Sequence, residues 1–371
     1  MRETRQIVER WHQGSALILV TLVRVQGSSY RQPGARLLVC KDGTYEGNIS
    51  GGCLEADLLR KAAWLVRDGS AVERYSTLFD DTADIPFGLG CGGVLDVLLE
   101  SVETAECQAL LRAIDSTLSG CEPLVATWLP NDDRGMMRAV FRADGELSFA
   151  SKGLSGERLS EARIKCLHGA ETELTGMSIE RLVPPQRLFV FGAGDDAKPL
   201  VTMACLLGWS VKVADGRAHL ARKNRFPENN AEVLSAPEVA IQQINSRDAV
   251  VIMTHSYEQD SKYLASLLAV RPRYLGLLGS RQRSSLLIAD AAASLEWSVS
   301  ECCEYICAPV GLDIGGEGPE AIALAIIAEA QACCMGKLNE SRRLSAEHVQ
   351  RYLATGDSQR YLQTQCGLDT I

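Results

Sequence analysis

Two cysteines stand in settings unlike those of the other thiols. Cys53 lies in Ser50-Gly51-Gly52-Cys53-Leu54-Glu55, where a strand gives way to a helix, and Cys91 lies in Gly88-Leu89-Gly90-Cys91-Gly92-Gly93, which opens into a strand. Glycines on both sides keep bulk away and let a ligand approach the backbone. A thiol at a helix N-terminus also has its thiolate favoured by the helix dipole. Such a thiol can bind a soft metal, carry sulfur or act as a nucleophile. It can equally fill a core or fit a tight turn. A further loop, Gly27-Ser28-Ser29-Tyr30-Arg31-Gln32-Pro33-Gly34-Ala35-Arg36, joins glycines to Arg31 and Arg36, a combination that holds a phosphate or makes a turn.

A second set of residues points to nucleotide chemistry. A short apolar strand over 188–191 runs into Gly192-Ala193-Gly194-Asp195-Asp196-Ala197, the Gly-x-Gly-x-x-Ala form of a phosphate-binding turn. Gly192 permits the tight turn, Gly194 lets a pyrophosphate approach, and the helix N-terminus supplies free N–H groups. Asp215 ends the next strand, where its carboxylate can accept a ribose hydroxyl. Asp195 and Asp196 oppose a phosphate in the same turn, and Pro199 is expected to kink or loosen the helix that follows. Three other polar loops fall at the carboxyl ends of predicted strands, where open α/β sheets bind ligands: Thr254-His255-Ser256, Ser280-Arg281-Gln282-Arg283, and 309–316. Arginine there can take phosphate bidentately. His255 is a candidate acid–base group for an NAD(P)-dependent oxidoreductase, although the sequence offers no obvious second catalytic group paired with it.

The elements that must position these residues divide the chain at Pro184-Pro185, a pair that neither continues a helix nor donates to a ladder. Before it, a helix over 3–11, a buried strand over 16–25, a hairpin turning at Asp42-Gly43, helices over 54–66 and 105–118, strands over 94–99 and 124–129, and a hairpin at Ala143-Asp144-Gly145 make an α+β domain over 1–184. After it, apolar strands over 188–191, 210–214, 249–254 and 274–278 alternate with helical stretches. That order predicts a Rossmann-like, doubly wound parallel sheet over 185–336, closed by a helix over 319–334. Residues 337–371 are expected to form a helical tail centred on 346–353.

Composition narrows the class. The 371 residues carry a net charge of −9, which argues against nucleic acid. No apolar run is long enough to span a bilayer. The 13 cysteines are odd in number, with no Cys-x-x-Cys pair, and there is no apolar signal core, so a reducing cytoplasm is expected and eleven of the thiols are expected to be packing.

These loops together resemble the XdhC/CoxI family of accessory proteins for xanthine dehydrogenase and related molybdenum hydroxylases. The resemblance rests on Gly27 to Ala35, on the Cys53 and Cys91 loops, and on Phe191-Gly192-Ala193-Gly194, Thr254-His255, Leu278-Gly279-Ser280-Arg281 and Ala308-Pro309-Val310-Gly311-Leu312-Asp313-Ile314-Gly315. It implies a chaperone that binds molybdenum cofactor (molybdopterin, with or without an attached nucleotide), protects its sulfurated form and helps insert it into an apo-hydroxylase. A cysteine desulfurase and the hydroxylase are the implied partners, and a homodimer is expected. Cys53 and Cys91 would then face the metal or its sulfur. Arg31, Arg36, Gly192, Gly194, Asp215, His255, Ser280 and Arg281 would line the cofactor. Where many relatives carry Gly-Ala-Gly-His, this chain has Asp195, so a contact through that histidine does not carry over.

Overall fold

The apolar run after the first helix becomes the central strand of an antiparallel sheet in the computed structural model, which describes residues 2–52, 54–76, 93–131, 134–168, 176–228 and 231–338. The chain divides into two compact units between Pro184 and Pro185. The first unit contains α1 (Arg2–His12), β1 (Ala16–Gln26), β2 (Arg36–Cys40), β3 (Tyr45–Gly47), α2 (Glu55–Leu65), β4 (Ala71–Ser76), β5 (Val94–Ser101), α3 (Ala105–Leu118), β6 (Leu124–Trp128), β7 (Met137–Phe141), β8 (Leu147–Ala150), α4 (Gly156–His168) and β9 (Met177–Arg181).

Two sheets result, one in the order β3-β2-β1-β5-β4 and one in the order β8-β7-β6-β9. Strand alternation sends Ile18, Val20 and Leu22 of β1 to the α2 side, where they pack on Leu58 and Ala62. Leu19 faces the other way and joins Ile7 and Val8 of α1, Leu110 and Ile114 of α3, and Val125 and Val140 of the second sheet. The outer face of that second sheet packs on Ala162 and Cys166 of α4. The Asp42-Gly43 hairpin forms, with the Thr44 N–H and hydroxyl donating to the Asp42 carboxylate. Its second strand ends at Gly47, whose positive φ and close approach to the Arg36 carbonyl stop the pairing short of residue 49.

The second unit contains β10 (Arg187–Phe191), α5 (Ala197–Leu206), β11 (Ser210–Ala214), a 3-10 turn (Lys223–Arg225), β12 (Ala231–Leu234), α6 (Pro237–Gln242), β13 (Ala249–Ile252), α7 (Tyr257–Val270), β14 (Tyr274–Leu277), α8 (Arg281–Leu295), α9 (Val299–Glu304) and α10 (Pro319–Cys334). All five strands are parallel, in the order β12-β11-β10-β13-β14. Leu188 and Val190 enter one core with α5 and α10, and Phe189 and Phe191 enter another with α7 and α8. Helices therefore cover both faces, as expected of a doubly wound sheet. Beyond β14 the chain runs alongside it at Cys307, which exchanges hydrogen bonds with Leu275 and Leu277.

Pro199 is the third residue of α5. The helix runs on through it without a break to Leu206, because the first four N–H groups of a helix have no intrahelical acceptor and a proline there costs no hydrogen bond. The expected tail helix over 346–353 lies outside the described residues.

Candidate functional site

The strand order reverses between β10 and β13, and in doubly wound sheets this switch point is where ligands bind. Gly192 turns the chain out of β10 with φ of 119°, and any side chain there would press on the Met253 carbonyl after β13. Only glycine suits both conditions. Asp215, at the end of β11, is buried and faces this turn. Its Oδ2 accepts from the Ala193 N–H at 2.8 Å and Arg217 Nη2 at 2.7 Å, and its Oδ1 accepts from Arg217 N at 2.8 Å and Nε at 2.9 Å. Burial alone would raise this carboxyl, but the Arg217 guanidinium and the two backbone N–H groups outweigh it and hold the group below the usual range. A carboxylate offers about four acceptor positions, and all four are taken. A ribose hydroxyl would have to displace one of them.

The two turn aspartates are also engaged. Asp195 pairs with Lys198 at 2.7 Å and Arg225 at 3.1 Å, and the same Arg225 nitrogen donates to the Ala193 carbonyl. Asp196 meets Nε2 of His255 at 2.7 Å across the switch point, so His255 does have an acidic partner, contributed by the opposite loop. His255 holds a left-handed φ of 63°, a conformation that non-glycine residues adopt at a cost. Behind it, buried Asp260 accepts from the Thr254 hydroxyl at 2.5 Å and from Arg283 Nη2 at 2.7 Å. Ser280 caps α8 by accepting from the Arg283 N–H. Arg283 is thus structural, whereas Arg281 is exposed and its side chain has no partner among the described residues. In the last loop, the Gly311 N–H and the Tyr274 hydroxyl both donate to Glu329.

In the first unit, neither loop arginine is free. Arg31 forks onto both oxygens of Glu3 at 3.0 and 2.6 Å, and Arg36 binds Glu180 and the Gly34 carbonyl. Cys53 and Cys91 lie outside the described residues. The segment leading to Cys53 is described, however, and it is organised by a residue to which sequence reasoning gives no role. Buried Glu55, the first residue of α2, accepts from the N–H groups of Ile49 and Ser50 at 2.8 Å, the Ser50 hydroxyl at 2.7 Å and the Gly52 N–H at 2.9 Å. Ser50 Oγ in turn accepts from the Leu54 N–H at 2.8 Å. Burial pushes the Glu55 carboxyl up, but its hydrogen bonds to Ser50 and Ile49 win and hold it low. The signal is present in the sequence as an acid one turn after a Gly-Gly pair at a helix start.

Among the described residues, no three metal-ligating side chains converge. Burial raises the thiols of Cys166 and Cys334 to about 11, as suits inert packing. Cys121 and Cys303 are exposed, which corrects the expectation that they pack: each stands where its chain segment meets solvent. No described helix is long and apolar enough to cross a membrane.

Residues 188–330 match the XdhC Rossmann domain, and residues 10–76 match the XdhC and CoxI family. The chain is 29% identical over 316 residues to a Bacillus subtilis protein named as a probable xanthine dehydrogenase subunit, covering 84% of this chain and 91% of that protein. It is 26% identical over 325 residues to the molybdenum cofactor insertion chaperone PaoD of Escherichia coli, covering 88% of this chain and 86% of PaoD. A crystal structure described as a xanthine dehydrogenase from Bacillus halodurans matches with a TM-score of 0.76 at 29% identity, over 94% of this chain and 99% of that one.

Proposed function

Since the chain belongs to the XdhC and CoxI family, we propose that it is an accessory protein that binds molybdenum cofactor as cargo, protects its sulfurated form and helps insert it into a xanthine dehydrogenase-type hydroxylase. The observation that carries this reading is the alignment with PaoD, named as a molybdenum cofactor insertion chaperone, which extends over most of both chains. The local geometry agrees with such cargo. A phosphate-bearing tail meets Arg281, unpaired among the described residues, and the capped N-terminus of α8, with Gly192 and Gly194 keeping the neighbouring turn clear. His255, oriented by Asp196, offers its remaining ring nitrogen for a hydrogen bond. Glu55 anchors the segment 49–52 that leads to Cys53, and Cys53 is assigned to the metal centre or its sulfur. Cys91 is the second thiol assigned to that centre. An apo-hydroxylase, a cysteine desulfurase and a second copy of the chain are the partners of this reading, and the cytoplasm is its compartment.

The NAD(P)-dependent oxidoreductase reading has no comparable support, because the acid that would hold the ribose is saturated by Arg217 and Ala193. The deciding experiment is to purify the chain from cells making the cofactor, oxidise the sample and measure pterin fluorescence. Pterin in near-equal amount to protein, reduced in Cys53→Ser and Cys91→Ser, is the expected result. Pterin no higher than on an unrelated protein, with metal and sulfur supplied, overturns it.

A further inference from the structure

The two sheets of the first unit face each other across a partly polar layer. Alternation along β1 places Thr21 on the same face as Leu19, toward the second sheet. Arg36 stands opposite Thr21 in the β1–β2 register and reaches Glu180 on β9. Farther along, Glu100 on β5 holds Arg138 on β7 at 2.7 and 3.0 Å. Thr21 is 6% exposed, yet its hydroxyl has no hydrogen-bond partner among the described residues, and neither has the buried Nε of Arg36. Buried polar groups are rarely left so.

This seam opens into a cleft of about 610 Å³ walled by β1 from Thr21 to Gln26, by Pro33 and Gly34, by Leu129, and by β9 from Met177 to Glu180. Glu180 gives one oxygen to Arg36, and its Oε1 takes no hydrogen bond among the described residues. A side chain at Gly34 would press its Cβ to 3.0 Å from that oxygen. Arg24, the cation on this wall, lies 3.5 Å from Asp96, and Arg36 is balanced by Glu180, so the wall does not favour an anion. It carries the Glu180 carboxylate and Thr21, with Gln26 and Ser178, between apolar side chains such as Leu22, Leu129 and Ile179, which suits a flat, uncharged heterocycle.

We propose that this cleft takes a 2-amino-4-oxopyrimidine ring, the edge shared by pterin and guanine. Its ring N–H and 2-amino group are adjacent donors suited to the Glu180 carboxylate, and its oxo acceptor suits the Thr21 hydroxyl. The proposal rests on the cargo reading above and gives the pterin, or an attached guanine nucleotide, a place in the first unit. The test titrates the full chain with pterin-6-carboxylate, with guanosine, and with 2,4-dioxopteridine, which lacks the 2-amino group. Saturable binding of pterin or guanosine is expected, with the dioxo analogue and the Thr21→Val variant each weaker by about tenfold. Thr21→Val removes only an unpartnered hydroxyl, so its melting temperature should match or exceed the wild type, which separates binding from folding; Glu180→Gln is the second variant. Equal affinity for the amino and dioxo rings, or unchanged affinity in Thr21→Val, overturns the site. Cofactor that co-purifies equally with wild type and Thr21→Val sinks the cleft and leaves the cargo reading standing. Ring binding lost in Thr21→Val, with no cofactor on the purified wild type, does the reverse.

Discussion

In the second unit, buried acids are paired with arginines that reach water: Asp215 with Arg217, Asp248 with Arg187 and Asp260 with Arg283, each aspartate nearly inaccessible and each arginine at least a quarter exposed. In the first unit, Arg138 and Glu100 are both buried, at 1% and 0%. The difference is one of desolvation. A pair with one solvated member keeps most of the hydration of its cation, whereas a fully enclosed pair depends on each partner for nearly all its compensation. The second unit therefore uses ion pairs to close loops at strand ends, and the first uses Arg138–Glu100, with Arg36–Glu180, to join two sheets.

The largest test of this contrast is Arg138→Met, which leaves Glu100 enclosed and unpaired. A loss of about 3–5 kcal/mol in urea unfolding is expected, and pairing it with Glu100→Leu should restore most of that. Arg217→Met should cost less, about 1–2 kcal/mol, because Asp215 keeps two backbone donors. Equal losses in the two variants would break the comparison. Acidification sharpens it further. Glu55 and Asp215 both have depressed folded values, so each adds stability that is present above its ordinary value (4.5 and 3.8) and is lost as the pH falls through the lower folded one. Thermal unfolding followed from pH 6 down to pH 3 should show a steep loss below about pH 4.5 in the wild type and a shallower one in Glu55→Gln. The smallest effect belongs to Pro199→Ala, within about 1 kcal/mol of wild type by the same unfolding measurement, since no helical hydrogen bond is at stake.

Elements that bury a full face are legible in the sequence. The strands at 188–191 and 210–214 and the helix at 319–334 fall within a residue of their expected bounds. The parallel, doubly wound sheet follows from their alternation. Several elements that bury little are not legible. β4, with one buried residue in six, β9, with one in five, and β12, with one in four, are edge strands whose outer sides face away from any core. α4 escapes sequence reasoning for the same reason, since only Ala162 and Cys166 of its thirteen residues are buried. Where little apolar surface is removed from water, little periodicity is written into the chain.

The candidate site divides along a similar line. The glycine turn can be read directly, because Gly192 answers a local backbone demand. The fate of the charged groups cannot. Asp196 meets His255 across 59 residues, and Arg36 meets Glu180 across 144. No short-range pattern encodes such pairings, which arise only when strands lie side by side.

By itself, the sequence determined the fold class and the turn after β10, because local sterics and hydrophobic period act over a few residues. The tertiary structure decided which groups are spent and which stay available. It closed Asp215 over its own turn, tied Arg31 and Arg36 to carboxylates, left Arg281 open, and put Glu55 beneath the loop that leads to Cys53. Charge availability depends on neighbours brought together by packing, and packing is a property of the whole fold.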